Sequence, residues 1–237
     1  MSIVAIIPAR GGSKRIPKKN IKPFAGKSII AYSIKAAEES NLFNRIIVST
    51  DSKEIAEIAK SYGAEVPFMR PAELADDFAG TAPVLIHALN WLNEHGCYSK
   101  YFCCIYAAAP LIRSEHIKKG FHLLRQKNAV TAFSVTTFPY PIFRGLRIEE
   151  NGRLKMFWPE HEKSRSNDLP EAYHDAGQFY WASTERFLKE KTLFSSDAVP
   201  IILPRYLVQD IDTPEDWKTA EKMYLALHMN KTDWANA

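Results

Sequence analysis

Ile3-Val4-Ala5-Ile6-Ile7-Pro8-Ala9-Arg10-Gly11-Gly12-Ser13-Lys14-Arg15-Ile16-Pro17-Lys18-Lys19-Asn20 is the stretch on which the fold turns. Its five opening apolar residues read as a strand covered on both faces, as in a parallel sheet flanked by helices. Small residues and cations follow at once. In open α/β sheets, ligands sit beyond the carboxyl ends of the strands, so an anion is expected here. Gly11 and Gly12 let backbone amides approach a ligand, and consecutive amides form an anion-binding nest. Arg10 can grip phosphate oxygens through two N–H groups, while Lys14 and Lys19 act as point charges. Ala9, Arg10, Gly11, Gly12 and Ser13 are therefore the expected phosphate loop. Two better-known loops do not fit. GxxxxGK[ST] is absent, and Pro17 falls where a GxGxxG loop would run into its helix. The alternative is a solvated basic turn.

Outward from this stretch, apolar β-prone runs alternate with helical patterns, which predicts an α/β fold with a mostly parallel sheet. Strands are expected over 46–49, 101–106, 130–136 and 177–182. Helices are expected over 29–40, from Asp51 with Glu54 as a capped start, from Thr81 and Pro83, after Ser114, and from Thr213-Pro214-Glu215-Asp216. Ile55, Ile58, Ala59 and Tyr62 mark the core face of the second helix, with Gly63 as its stop. Trp217, Ala220, Tyr224 and Leu227 mark that of the last. Residues 138–170 break the rhythm with Pro139, Pro141, Pro159, Pro170 and many aromatics. They predict a projecting β-arm, with the excursion taken to 138–175 inside a single domain spanning 1–237.

The chain of 237 residues is 46% hydrophobic and 24% charged, which excludes disordered and fibrous classes. Its apolar runs are too short for a membrane span of about 20 residues. Basic residues follow the first run instead of preceding it, unlike a secretory signal. Cys97, Cys103 and Cys104 fit no metal spacing and no disulfide framework, so a reducing, cytoplasmic setting is expected. Cys103 and Cys104 point to opposite faces of a strand and read as core. The net charge of +4 is unevenly placed. Seven cations lie within residues 1–30, no carboxylate precedes Glu38, and the chain beyond residue 30 is net −3. A polyanion- or nucleic-acid-binding module is the rival from another class, although the segment lacks aromatic–basic interleaving. Near the other end, Asp210 and Asp212 flank Ile211 after an apolar stretch over 201–208 interrupted by Pro204. Alternate residues of an extended segment share a side, so both carboxylates can face one ligand, and Mg²⁺ suits such a pair. The alternative has Asp212 supporting the following helix.

The segment IPARGGSKRIPKKNIKPFAGKSIIAYSI resembles the opening of the acylneuraminate cytidylyltransferases, the CMP-sialic acid synthetase family. The resemblance continues through IIVSTDSKEIAEIAKSYGAEVPFMRPAELA, RSNDLPEAYHDAGQFYW and DIDTPEDW. It implies a Rossmann-like nucleotidyltransferase fold, a dimerisation and sugar-binding arm, and a homodimer. It also implies a reaction joining CMP from CTP to a nine-carbon ulosonic acid, with release of pyrophosphate and no protein nucleophile. Neither nucleic acid nor membrane is an implied partner. Arg15, Tyr106-Ala107-Ala108-Ala109-Pro110 and the His174 to Trp181 string depart from the sialic acid enzymes and resemble the pseudaminic acid branch. Legionaminic and N-acetylneuraminic acid remain the alternative sugars. By this resemblance Arg10, Lys14 and Lys19 hold the triphosphate, and Asp210 and Asp212 hold Mg²⁺, with Asp212 essential to turnover. Asn20 and Arg70 are placed at the nucleotide, and Thr81 at the base or as a helix cap. Tyr106, Arg144, Arg165, Asn167 and His174 are placed toward the sugar, with Arg165 reaching it or the phosphates from either subunit; Gln178, alternating with Phe179 on a strand, can face the pocket or be structural. Asn167 stands where Gln is usual. Arg70 at the surface and His174 as a structural residue are the alternatives.

Overall fold

The computed structural model describes residues 2–76 and 79–229; residues 230–237, included in the single-domain reading, lie outside them. In chain order the elements are β1 (Ile3–Pro8), β2 (Pro23–Phe24), β3 (Lys27–Ser28), α1 (Ile30–Glu39), β4 (Arg45–Ser49), α2 (Lys53–Ser61) and α3 (Thr81–Glu94). Then come β5 (Tyr101–Ile105), α4 (Ser114–Lys127), β6 (Thr131–Thr137), β7 (Leu146–Ile148), β8 (Leu154–Met156), β9 (Tyr173–Ser183), α5 (Thr184–Glu190), β10 (Ala198–Ile202) and α6 (Pro214–His228).

Six strands form the central sheet in the order β10-β6-β9-β5-β1-β4. β1 pairs in parallel with β4 and β5, and β6 with β10, whereas β9 is antiparallel to both β5 and β6. Five strands therefore run one way and β9 the other. The chain reaches β9 through the 138–172 excursion with no crossover helix, and a parallel strand requires a crossover. β9 is also longer than the expected 177–182. Residues 173–175, assigned to the excursion, pair with β6 at Val135, Thr136 and Thr137. Because β9 is reversed, its first residues lie at the sheet edge where the other strands end.

β1 is buried on both sides, as its unbroken apolar run predicts. Ile3, Ala5 and Ile7 join one core layer with Ile34 of α1 and Ile117 of α4. Val4 and Ile6 join the opposite layer with Leu85 and Leu89 of α3. At Gly120, α4 comes so close to β9 that an added Cβ would stand 2.8 Å from the Trp181 ring. A third cluster unites Ile16, Phe24, Ile29, Ile211 and Trp217.

Three local expectations are corrected. The α2 cap is Ser52, whose hydroxyl accepts from the Ile55 amide, and not Asp51; Tyr62 is exposed at that helix's end. The 201–208 stretch is a strand only to Ile202, because Pro204 opens a 3-10 turn at Arg205–Leu207. In α6, Trp217 and Ala220 are buried while Tyr224 and Leu227 are only partly covered. Among the described residues no helix is long and apolar enough to cross a membrane.

Candidate active site

At the carboxyl edge of the sheet, Arg10, Lys19, Asn20, Arg70, Thr81, Tyr106, Gly177 and Asp210 line one cleft. It adjoins a cationic bay formed by Arg10, Ser13, Lys14, Arg15, Lys19 and Asp212. Ten residues of loop and nearly two hundred of intervening chain are brought together by apolar packing: Ile16 and Ile211 share a buried cluster. Polar contacts then fix the register. Lys19 Nζ donates to the Ile211 carbonyl at 2.7 Å and lies 3.5 Å from Asp212 Oδ1, while Arg15 Nη2 lies 3.0 Å from Asp212 Oδ2. Lys18 is turned to Glu54 at 2.8 Å. Three cations of the segment are thus directed at named carboxylates.

The loop is clamped more tightly than a free anion nest. Gly11 donates its amide to Asp51 Oδ1 at 2.8 Å, and Ser13 donates to the Gly11 carbonyl at 3.0 Å. A Cβ on Gly11 would stand 3.2 Å from Ser52 Cβ, a tight contact that glycine avoids. The expected row of open amides at Gly11 to Ser13 is corrected accordingly; the side chains carry the anion-facing charge, and Gly12 is exposed. Ala9 is buried with its amide donated to the Ser49 carbonyl, so it belongs to the sheet and not to the cleft wall. Asn20 is buried and donates Nδ2 to the Arg10 carbonyl at 2.9 Å, buttressing the loop from below.

Arg70 is buried, not at the surface. Its guanidinium donates to the Ser49 hydroxyl at 3.2 Å and to the Ser49 carbonyl. Burial lowers its pKa to about 10, which leaves it charged at neutral pH. Thr81 is not the cap of α3, since Gly80 is. Its hydroxyl lies 3.1 Å from the Tyr106 hydroxyl instead. Burial pushes the Tyr106 and Tyr180 hydroxyls up, so both stay protonated. It does the same to the Cys103 and Cys104 thiols, in keeping with core cysteines and no nucleophile.

The aspartate pair straddles buried Ile211. Asp216 caps α6 through Thr213 in a reciprocal capping box, so Asp212 is not needed there. The Asp210 carboxyl is pushed up by burial and by repulsion from Asp212, with Lys19 opposing. One aspartate carboxyl beside a second is a donor set that fits a hard divalent cation. Among the described residues no group of three or more His, Cys, Asp or Glu is gathered to hold a metal.

Asp175 is a residue the sequence reading missed. It accepts from the Tyr180 hydroxyl and, through Oδ1, from the Gly177 amide at 3.0 Å. Gly177 has φ +61° and passes the Asp210 carboxylate, where an added Cβ would lie 3.6 Å from Oδ1. His174 and Asp175 line a neighbouring recess with Asp210 and Asp212. Gln178 does not face the cleft: it is buried and donates Nε2 to the Leu207 carbonyl at 2.5 Å, tying β9 to the turn that precedes the aspartates. Arg144, Arg165 and Asn167 lie on the excursion and are not among the cleft-lining residues of this chain. Arg165 is exposed and paired with Asp168 at 2.8 Å.

A cationic loop and a carboxylate pair closing one cleft at the carboxyl edge of an α/β sheet define the nucleotidyltransferase class. The chain belongs to the cytidylyltransferase family, whose model matches residues 4–231. It is 42% identical over 228 residues to the pseudaminic acid cytidylyltransferase of Campylobacter jejuni, covering 96% of this chain and 98% of that one. It is 32% identical to the CMP-N,N'-diacetyllegionaminic acid synthase of Legionella pneumophila, covering 94% and 96%. Its fold is similar to that of a CMP:2-keto-3-deoxy-manno-octonic acid synthetase complexed with CTP, with a TM-score of 0.70 at 14% identity, covering 97% of this chain and all of that one.

Proposed function

We propose that this cytidylyltransferase transfers CMP from CTP to pseudaminic acid and releases pyrophosphate. The observation that carries the reading is the meeting of Arg15 and Lys19 with Asp212 across one cleft. Arg10, Lys14 and Lys19 would neutralise the triphosphate and the charge that builds on leaving pyrophosphate. Asn20, Arg70, Thr81 and Tyr106 would seat the nucleoside. The anomeric hydroxyl oxygen forms the new bond to the α-phosphorus as the bond to the β-phosphate oxygen breaks, and the hydroxyl proton leaves. The residues supply orientation and charge. Mg²⁺ on Asp210 and Asp212 would offset phosphate charge.

The choice of sugar is supported by the identity with the Campylobacter enzyme along nearly the whole of both chains. Residues 138–172 would act in a homodimer. Ile148 and Leu154 of the β7–β8 hairpin are 74% and 67% exposed, and a lone two-stranded hairpin is marginal in water. A second copy would cover them and bring Arg144, Arg165 and Asn167 toward the neighbouring cleft, where a guanidinium suits the sugar carboxylate. The use of CTP and three free cysteines fits a cytoplasmic enzyme. Pyrophosphate release measured with pseudaminic, legionaminic and N-acetylneuraminic acids tests the reading. A higher kcat/KM for either of the latter two would overturn the assigned sugar.

A further inference from the structure

Arg15 has so far no task, yet its position is the most pointed in the bay. Asp212 has two carboxylate oxygens, and each faces a different cation: Arg15 Nη2 is 3.0 Å from Oδ2, and Lys19 Nζ is 3.5 Å from Oδ1. Lys19 is anchored, because its ammonium also donates to the Ile211 carbonyl at 2.7 Å and its side chain is largely covered. Arg15 is not held in that way. Its side chain is 66% exposed, and it sits on a loop between β1 and the next helical turn. It lines the bay together with Arg10, Ser13, Lys14 and Lys19, where Asp212 is the one acidic residue among the described residues.

An anion entering this bay changes Arg15's choices. A triphosphate offers several oxygens to a guanidinium fork, which binds them bidentately. Asp212 offers one oxygen, and an exposed pair of that kind is weak. A divalent cation at Asp212, in contrast, must displace the guanidinium from Oδ2 before it gains that ligand.

We propose that Arg15 exchanges partners: without nucleotide it covers Asp212 against divalent cations, and with CTP it moves to the phosphates and uncovers the carboxylate. Metal loading at Asp212 is thereby made conditional on nucleotide. The inference rests on the assignment of Asp210 and Asp212 as metal ligands, and the test separates the two.

The probe is Mn²⁺, followed by electron paramagnetic resonance of the free ion, with and without CTP in the absence of sugar. Without CTP, Arg15→Gln binds Mn²⁺ about threefold to fivefold more tightly than the unmodified protein, the range expected for losing one exposed ion pair. Arg15→Lys, which keeps a cation, stays close to the unmodified protein. Raised ionic strength narrows the difference by screening the pair. With CTP present the three proteins bind Mn²⁺ alike at equal nucleotide saturation, while Arg15→Gln needs several-fold more CTP to reach it. Equal Mn²⁺ affinity of Arg15→Gln and the unmodified protein without CTP overturns the exchange, as does an unchanged CTP requirement. If Asp212→Asn binds Mn²⁺ with CTP as well as the unmodified protein does, the metal assignment itself fails, whatever Arg15 does.

Discussion

The cleft and the arm are held by opposite means. Around the cleft, Ile16 and Ile211 are buried together, Arg70 is buried against Ser49, and Gly11 is clamped by Asp51. In the arm, β7 pairs, among the described residues, only with β8, and its three residues are all exposed. Its internal order comes from contacts such as Phe143 against Trp158 and the Phe157 amide donated to the Gly145 carbonyl. The difference separates two duties. The nucleotide half is preorganised by the chain's own core, so its electrostatics need no rearrangement of backbone. The excursion carries the guanidiniums proposed for the sugar on a projection whose hairpin leaves Leu146, Ile148 and Leu154 exposed.

The sharpest way to break this comparison is at the cleft. Asp212→Asn and Lys19→Ala should each lower kcat/KM by roughly 100- to 1,000-fold, the range for losing one preorganised charge contact. Neither side chain is part of the apolar cluster, so thermal unfolding should stay within a few degrees. Unchanged turnover for Asp212→Asn at saturating magnesium would remove Asp212 from the machinery.

At the arm the effect should be smaller and of another kind. The pair Ile148→Asp with Leu154→Lys places charge on an exposed apolar face, so the monomer should fold normally. Sedimentation should show loss of the dimer, and sugar-dependent turnover should fall about tenfold to a hundredfold through lost positioning. CTP binding should persist, because Arg10, Lys19, Asn20, Arg70 and Thr81, proposed to hold the nucleotide, line the cleft of a single chain together. A monomer with full turnover would show the arm to be dispensable.

These two halves were unequally legible in the sequence. The apolar run of β1, the cations behind it and the Asp210–Ile211–Asp212 spacing are local signals, and they point to Arg10, Lys19, Asp210 and Asp212; Asn20, Arg70, Thr81 and Tyr106 come from the resemblance. What escaped depends on partners distant in the chain. Asp51 looks like a helix cap until Gly11, forty residues earlier, is seen to donate to it. The reversal of β9 leaves no mark in its own residues, since alternation encodes burial and not strand direction. Alternation along β9 does not fix what Gln178 meets; its burial against the Leu207 carbonyl depends on a turn about thirty residues later in the chain. Asp175 hides in the same way: its role follows from Tyr180 and Gly177 on a strand whose twist the sequence does not show. The arm was legible as an interruption, since prolines and aromatics without a period exclude a core element, but its apolar face meets no partner among the described residues to reveal a pattern.

The smallest predictions compare one substitution in the two halves. At Gly120, a Cβ would meet the Trp181 ring at 2.8 Å and the Phe179 ring at 3.0 Å, both in fully buried side chains. Gly120→Ala gains helix propensity of about 1 kcal/mol, but overpacking of this kind costs about 1–3 kcal/mol. The variant should therefore lose up to about 2 kcal/mol of global stability, or several degrees of Tm. Gly152, in the turn between β7 and β8, has φ +76° and nothing near its Cβ position. There alanine meets no clash, only the left-handed penalty of about 1–2 kcal/mol. That penalty falls on a hairpin outside the core, and such local opening does not draw on the global free energy. Gly152→Ala should leave the main calorimetric transition of dilute, monomeric protein in place while raising amide exchange at Gly152 and Arg153. A Tm loss matching that of Gly120→Ala would show that the arm folds as one cooperative unit with the cleft, and the division between the two halves would not stand.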